Sequence, residues 1–209
     1  YLEYYEIDLV RESLREREIL LRNAPHLVRP LPLMIPLYKG ARRGPLMIWA
    51  GMMAYDILSF DKTLPWHRMM LPGAVKKSTP GLRKEGLRGA AVYYDAQVEF
   101  AERLVVENAL DARRYGCDFY LYHEVVELGP QGVRVRNEEG RVDLLTADLV
   151  INVTGPWVDQ LLERAGANFP RQMGGTKGSH IVVDAFPGLP PEALYVEASA
   201  DGRPYFIVP

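Results

Sequence analysis

The chain has 209 residues, enough for one large domain or one and a half ordinary ones with a real hydrophobic core. Its 25 basic residues stand against 27 acidic ones, so it lacks the excess positive charge that nucleic-acid binding needs, and no nucleic-acid partner is expected. The single cysteine, Cys117, excludes an internal disulfide and a thiolate metal cluster. It suits a reducing compartment such as the cytoplasm.

The chain opens with "YLEYYEIDLV", without methionine and already helix-like, so we expect it to be a piece of a longer protein. No signal peptide or membrane-spanning segment is visible in the sequence. Apolar residues at helical spacing predict a helix over residues 2–23, which Pro25 ends. Glu18 and Arg22 have the order of an i,i+4 ion pair, which we interpret as a feature of the solvated helix face.

Residues 27–38, "LVRPLPLMIPLY", contain three prolines and are expected to be extended, or an edge strand at best. The next segment, residues 45–60, predicts a helix that is nearly apolar over residues 46–55. This run is shorter than the roughly 20 residues that cross a bilayer. It is either a core helix or a helix in the membrane interface, with Arg42 and Arg43 on lipid headgroups and Trp49 and Tyr55 at the boundary.

Residues 61–90 are rich in Pro, Gly and Lys, which predicts a long segment with little regular structure. "AVYY" then predicts a short strand, and residues 98–116 predict a helix that ends at Gly116. "DFYLYHEVVEL", "VRVRN" and "VDLLTADLVINV" predict the strands of a meander, and the part from "GSHIVVDAF" to "PYFIVP" is again strand-like. These elements together predict a mixed α/β and α+β fold and no simple βαβ ladder.

Residues 147–166, "ADLVINVTGPWVDQLLERAG", place a strand and a helix end to end. The apolar residues 149–153 predict a strand that is buried on both faces. Pro156 suits a first helical position, and Gly166 closes the helix. A glycine at such a corner lets a flat ligand or another backbone approach closely, and the helix start offers unpaired N–H groups. A binding site and a purely structural corner both fit this pattern.

The stretch "GGTKGSHIVVD" carries the richest chemistry in the sequence. Lys177, Ser179 and His180 bring a cation, a hydroxyl and an imidazole together before an apolar strand, an arrangement that can hold an anionic substrate and move a proton. A flexible hairpin turn with incidental polar groups is the alternative. The four histidines lie far apart without metal-ligand spacing, so no metal site is expected.

Five stretches of the sequence, taken together, resemble the FAD-dependent, quinone-linked glycerol-3-phosphate dehydrogenase family. They are "YLEYYEIDLVRESLREREILLRNAPHLVRP", "VYYDAQ", "ADLVINVTGPWVDQLL", "KGSHIVVD" and "RPYFIVP", in the family's order and at about its spacing. The segment "QVEFAERLVVENA" departs from the family's pattern on a helix surface. The family's N-terminal glycine fingerprint and its C-terminal part are absent, so the chain is similar to an internal fragment.

The resemblance implies a partial FAD-binding domain of the glutathione-reductase type, joined to a substrate domain with a mainly antiparallel sheet. Residues 1–30 would form the helical part of a split FAD-binding domain, and residues 31–95 a substrate or cap region with the apolar helix. Residues 96–165 would return to the FAD-binding domain. Residues 166–209 would supply an incomplete set of substrate-domain strands.

The resemblance also implies the site residues. His180 would accept the C2-hydroxyl proton of the substrate while a hydride passes to flavin N5, and Tyr1, Lys177 and Arg203 would bind the substrate. One bend of the chain would run along the FAD, and one strand would meet its adenine through the main chain. The residues expected at these two cofactor contacts are Glu124, Val125, Thr154, Gly155, Pro156 and Trp157.

The function implied for the parent protein is oxidation of sn-glycerol 3-phosphate to dihydroxyacetone phosphate, with electrons passed through FAD to a quinone. The alternatives are a related FAD-dependent amino or hydroxy acid oxidase and a non-catalytic structural module, and we expect the isolated fragment to be inactive. The expected location is cytoplasmic, or peripheral on the inner face of the cell membrane through residues 42–60. The oligomeric state stays open, a homodimer included.

Overall fold

The computed structural model describes residues 6–41, 43–164, 166, 169–175, 178–198 and 201–209. Tyr1, Arg42, Ala165 and Lys177 therefore lie outside the described residues. Two compact units make up the chain, and each is treated by itself below. The first unit comprises Tyr1–Asn108 and Val183–Pro209, and the second comprises Ala109–Val182. The assignment of four domain segments made from the sequence stays a prediction.

The described part of the chain forms five α-helices, eight strands and one 3-10 turn, the mixed architecture expected from the sequence. The helices are α1 (Ile7–Asn23), α2 (Pro45–Leu58), α3 (Pro72–Ser78), α4 (Ala101–Arg114) and α5 (Val158–Arg164), and the 3-10 turn is Gly155–Trp157. The strands are β1 (Val28–Tyr38), β2 (Arg68–Met70), β3 (Leu87–Val98), β4 (Glu124–Gly129), β5 (Gly132–Arg136), β6 (Val142–Thr146), β7 (Ala193–Glu197) and β8 (Pro204–Ile207).

The first unit is built on a five-stranded sheet in the order β2-β3-β1-β7-β8. Strands β1 and β3 pair antiparallel along the whole length of β1, from Val28 opposite Val98 to Tyr38 opposite Leu87. Strands β2 and β8 also pair antiparallel with their neighbours, and the one parallel pair among the described strands is that of β1 with β7. The expectation of a mainly antiparallel sheet is therefore confirmed.

Strand β1 lies in the middle of this sheet, so the expectation of an edge strand was wrong. The reason is the spacing of its prolines. Pro30 and Pro32 lie two positions apart, and Pro32 and Pro36 lie four positions apart. Because alternate residues of a strand face the same way, the missing N–H groups of all three prolines fall on one side of the strand. The long ladder joins β1 to β3, whereas pairing with β7 is confined to Leu33 and Met34. A short parallel contact needs few donors and tolerates prolines on that side.

The core of the first unit packs against this sheet. Met34, Val92 and Leu194 from β1, β3 and β7 are buried together with Val75 of α3. Val75 is fully buried, which explains why residues 61–90 contain helix α3 and strand β2, contrary to the irregular segment expected. Pro72 occupies the first turn of α3, where its missing N–H is not needed.

Helix α1 buries two charged side chains beside the apolar Val10 and Leu14. Arg17 donates through Nη1 to the Tyr55 hydroxyl at 2.9 Å and to the Tyr94 carbonyl at 3.1 Å. Glu18 accepts through Oε2 from both the amide and the hydroxyl of Thr63 at 2.9 Å. The expected solvated pair is therefore wrong, because Glu18 is only 2% exposed and Arg22 contacts its main-chain carbonyl instead.

A second buried ionic cluster closes the end of helix α2. The Asp56 carboxylate, 1% exposed, contacts the Lys62 ammonium and accepts from His67 Nδ1 at 2.6 Å and the His67 amide at 3.0 Å. Burial pushes the pKa of Asp56 upward, but the hydrogen bonds from Lys62 and His67 outweigh it and leave the pKa below its usual value. Beside this cluster, Arg11 of α1 forms two bonds to Asp61 at 2.7 and 2.9 Å.

Helix α2 itself keeps most of its apolar surface outside the core. Leu46 is 76% exposed, Met47 60% and Ile57 60%, while Asp56 is the buried residue of the helix. The end of α2 is anchored through Tyr55, whose ring stands edge-on to that of Tyr93 at 5.5 Å. The core-helix alternative therefore does not describe α2 within this chain. The described residues contain no helix long and apolar enough to span a membrane.

The second unit carries a three-stranded antiparallel meander in the order β4-β5-β6, as the sequence predicts. The buried strand expected at residues 149–153 is wrong, since Leu149 is 75% exposed and Val153 83%. Burial on both faces requires neighbouring strands, and among the described residues none pairs with this segment. For the same reason residues 178–186 form no strand, although Ile181 and Val182 suit one.

Substitution of Asp56 by Asn is expected to lower the free energy of unfolding by about 3–5 kcal/mol. The substitution leaves the Lys62 ammonium, 4% exposed, without its buried counter-charge. Urea denaturation followed by circular dichroism measures the change. A loss similar to that of the exposed-pair control Asp61→Asn would contradict the prediction, because an exposed ion pair contributes little.

The same variant tests the pH dependence. Because the pKa of Asp56 is lowered on folding, its stabilising effect is present above the ordinary aspartate pKa of about 3.9 and is lost as the pH falls through the lower folded value. We expect the stability difference between wild type and Asp56→Asn to shrink in that acid range. A difference that grows on acidification would have the wrong sign.

Candidate functional site

The bend at Thr154–Trp157 is held in shape by Asn152. The Thr154 amide and hydroxyl donate to Asn152 Oδ1 at 3.2 and 2.7 Å, and Asn152 Nδ2 donates to the Val158 carbonyl at 3.2 Å. One amide side chain therefore fixes the residues before the bend to the start of α5. Pro156 stands in the first turn, as the sequence predicts.

Gly155 makes this bend possible and leaves it open. Its φ of +57° lies in the left-handed region, which residues other than glycine adopt only at a cost in conformational energy. A Cβ placed on Gly155 would meet no atom within 4 Å, so the main chain is accessible there. Trp157 beside it is 61% exposed. The bend can therefore receive a flat ligand against its backbone.

Glu124 and Val125 lie at the start of β4, and Arg164 at the end of α5 joins them. Arg164 Nη1 donates to Glu124 Oε1 at 2.5 Å and to the Val125 carbonyl at 2.9 Å, and Arg136 Nη2 donates to Glu124 Oε2 at 2.5 Å. Hydrogen bonds from Arg136 and Arg164 lower the pKa of Glu124, so this carboxylate stays ionised. The structure thus connects the strand of Val125 to the helix that begins at the bend.

The residues predicted for substrate chemistry are less constrained. His180 is exposed, and among the described residues no hydrogen bond or ion pair fixes its ring. Arg203 is also exposed, and its Nε donates to Asp201 at 2.7 Å. Tyr1 and Lys177 lie outside the described residues. In the part of the chain that the structure describes, no group of His, Cys, Asp and Glu side chains has the arrangement of a metal site.

Two residues that organise the site were missed from the sequence. Asn152 was interpreted only as part of an apolar strand, although an Asn two residues before a bend often bonds the following main chain. Arg164 received no role from the sequence, although a cation in the last turn of a helix is a recognisable signal. Neither of these local signals predicts the contact between Arg164 and Glu124, because the two residues lie 40 positions apart in the sequence.

Comparison with known proteins agrees with the resemblance seen in the sequence. Residues 1–209 match the model of a family described as FAD dependent oxidoreductase. A glycerol-3-phosphate dehydrogenase of Synechocystis sp. is 50% identical across 100% of this chain and 41% of its own length. An alpha-glycerophosphate oxidase of Streptococcus pyogenes is 31% identical across 100% of this chain and 36% of its own length.

The same fold is found in a solved structure. The glycerol-3-phosphate dehydrogenase from Bacillus halodurans, complexed with FAD, superposes with a TM-score of 0.68 at 24% identity. The match covers 96% of this chain and 36% of that one. The chain therefore spans about two fifths of the length of the curated relatives it matches.

Substitution of Gly155 by Ala is expected to reduce the free energy of unfolding by about 1–2 kcal/mol, because alanine is strained at a left-handed backbone position. Space is not the cause, since the added methyl group meets no neighbour within 4 Å. Thermal and urea unfolding measure the loss. The matched control is Gly174→Ala, where the site is equally open and φ is not in the left-handed region. Equal effects of the two substitutions would contradict the role assigned to the Gly155 backbone.

Proposed function

The chain belongs to the FAD-dependent oxidoreductase family, and from this premise we propose that the protein carrying it oxidises sn-glycerol 3-phosphate to dihydroxyacetone phosphate. Electrons pass through FAD to a quinone. The observation that carries the proposal is the 50% identity to a glycerol-3-phosphate dehydrogenase across the entire chain. It favours this reaction over that of an amino acid oxidase, because both of the sequence relatives described above are named for glycerol phosphate.

The residues of the second unit are compatible with a bound FAD. FAD supplies the flavin ring that accepts a hydride, while the protein supplies position and field. The open Gly155 main chain, with Thr154, Pro156 and Trp157, would hold one part of the cofactor. Glu124 and Val125 would hold the adenine end. Because the Val125 carbonyl already accepts from Arg164, any contact of FAD with that carbonyl is shared with the guanidinium.

The substrate chemistry assigned to this chain is a proton transfer and the binding of a dianion. His180 accepts the proton of the C2 hydroxyl while the C2 hydrogen leaves as a hydride. Lys177 and Arg203 offset the phosphate charge, and the Tyr1 phenol donates to an oxygen of the substrate. The alcohol thereby loses two electrons and two protons, and the quinone gains the same number to become a quinol.

A membrane-bound acceptor is supported by the surface of helix α2. At about 1.5 Å per residue its 14 residues reach about 21 Å, short of the roughly 30 Å hydrocarbon core, so it would lie along the interface. Its exposed Leu46, Met47 and Trp49 form an apolar surface of the kind that inserts among headgroups. We therefore assign the protein to the cytoplasmic side of the membrane as a peripheral protein.

The enzymatic proposal is tested with the whole protein that carries this chain. Glycerol 3-phosphate and a dye acceptor should give dye reduction, and His180→Asn should lower kcat by about 10²–10⁴-fold through loss of the proton acceptor. His123→Asn is the control, because the half-buried His123 ring, which stands edge-on to Tyr120, has no hydrogen bond among the described residues except the one with the Leu121 carbonyl. Hydrogen peroxide formed in air would identify an oxidase instead. Absence of glycerol 3-phosphate oxidation would refute the proposal.

The membrane proposal is tested by liposome flotation. Wild type should float with vesicles of phosphatidylethanolamine and phosphatidylglycerol, and Leu46→Glu combined with Met47→Glu should reduce the bound fraction by about tenfold or more, since burying each apolar side chain contributes about 1.5–3 kcal/mol. Leu110→Glu serves as control, because Leu110 is a similarly exposed apolar residue on α4. Unchanged flotation of the α2 variant would exclude α2 as the contact.

A further inference from the structure

The segment that leads to His180 is attached to helix α5 through Asp159. The two carboxylate oxygens of Asp159 accept from consecutive main-chain amides, that of Gln172 at 2.8 Å and that of Met173 at 3.1 Å. The Arg171 guanidinium nitrogen Nε lies 3.8 Å from the same carboxylate. All of these residues belong to the second unit. The function proposed above gives Asp159 no part.

A double hydrogen bond of this kind holds a segment in both position and orientation. The Asp159 side chain is only 19% exposed, so water competes little for its oxygens. Hydrogen bonds that a carboxylate accepts from main-chain amides are roughly twice as strong as those between neutral groups. Because the two oxygens face two successive N–H groups at once, the chain at residues 172 and 173 can neither slide nor turn without breaking a bond.

The segment before His180 has little else to hold it. Residues 169–175 form no helix or strand, and among the described residues no other hydrogen bond joins them to another part of the chain. Glycines follow the contact at positions 174, 175 and 178. A glycine backbone has more accessible conformations than that of any other residue. The contact with Asp159 therefore limits the positions that His180 can take.

The contact shortens the chain between His180 and the nearest fixed point before it. Met173 precedes His180 by seven positions, whereas Arg164, at the end of α5, precedes it by sixteen. The effective concentration at the end of a flexible tether falls with about the −3/2 power of its length, so the longer tether dilutes the imidazole about threefold. Lost orientation adds to this effect, because a displacement of about 1 Å can cost about 10²-fold in rate.

Asp159 also lies on the helix that begins at the bend assigned to FAD. It is the second residue of α5, which directly follows the 3-10 turn Gly155–Trp157. Asn152 accepts from the Thr154 amide before this turn and donates to the Val158 carbonyl after it, so the turn and the start of α5 are joined. The bend and the segment of His180 are therefore attached to the same short helix.

We propose that Asp159 is a positioning residue, which holds the segment of His180 at a fixed place relative to the FAD-binding bend so that the imidazole meets the C2 hydroxyl of the substrate. The proposal rests on the function proposed above and adds the residue that places its proton acceptor. Asp159 contacts neither the substrate nor FAD and acts through the main chain at residues 172 and 173. Because the donors are main-chain amides, the side chains of Gln172 and Met173 take no part in the contact.

Hydrogen exchange of the whole FAD-loaded protein tests the contact without turnover. In Asp159→Ala the amides of residues 172 and 173 are expected to exchange about tenfold faster or more, because both acceptors are removed. Glu163→Ala is the matched control, because Glu163 is an exposed acidic residue of the same helix, and it should exchange like wild type. Unchanged exchange in Asp159→Ala, an equal increase in Glu163→Ala, or loss of FAD from Asp159→Ala would overturn the proposal.

Stopped-flow reduction of the bound FAD by saturating glycerol 3-phosphate separates positioning from support of the fold. Asp159→Ala is expected to lower the rate constant by about 10- to 10²-fold. In a His180→Asn background the same substitution should change it by less than about twofold, because the group that it positions is gone. The rise of the rate constant with pH should also flatten in Asp159→Ala, as in His180→Asn. An equal loss in both backgrounds, or at every pH, would overturn the proposal.

The two proposals fail in different ways. If His180→Asn reduces FAD at the wild-type rate, the proton acceptor proposed above is wrong and Asp159 has nothing to position. If His180→Asn is slow and Asp159→Ala is as fast as wild type, the proton acceptor stands and the positioning role is wrong. If Asp159→Ala does not fold, Asp159→Asn, which keeps one acceptor oxygen, takes its place in the same comparison with His180→Asn.

Discussion

The buried carboxylates of Glu18 and Asp56 set the geometry of the first unit. Each carboxylate residue is at most 2% exposed. Each accepts several hydrogen bonds from the segment that follows α2. Ionised groups without such partners would be strongly destabilising, so the segment is confined to one position. This constraint fixes the end of α2 against α1 and the sheet even though the apolar residues of α2 contribute little to the core.

This arrangement gives α2 a burial pattern opposite to that of most surface helices. In most surface helices the apolar residues are buried and the charged residue is exposed, whereas α2 buries Asp56 and exposes Leu46 and Met47. Such an exposed apolar surface on a rigid support is typical of a contact site. The polar cluster holds the helix, and its apolar side stays exposed on the first unit.

The second unit shows a different principle. Its meander is complete, but the apolar segment at residues 149–153 has no strand partner among the described residues. The bend at Gly155 is nevertheless well defined, because its shape comes from local bonds to Asn152 and from the backbone freedom of glycine. The link from Arg164 to Glu124 and Val125 holds the two expected cofactor contacts on connected elements. The shape of the bend at Gly155 therefore does not depend on burial of residues 149–153.

The sequence by itself determined the features that depend on neighbouring residues. Helices α1, α2 and α4, the meander, the Pro156 turn and the family resemblance all follow from periodicity, turn residues or short motifs. Proline spacing explains why a central β1 is tolerated, but the expectation of an edge strand ignored the side on which the missing donors lie.

Only the tertiary structure decided which polar residues are buried and which apolar residues are exposed. Glu18 and Thr63 are 45 residues apart, and Arg164 and Glu124 are 40 apart, so no spacing rule connects them. A cavity of the first unit likewise takes its walls from β1, α2, β3, β7 and β8. Whether a residue is buried or paired depends on all the segments that pack around it in the folded chain. A sequence pattern shows only which kinds of neighbour that residue suits.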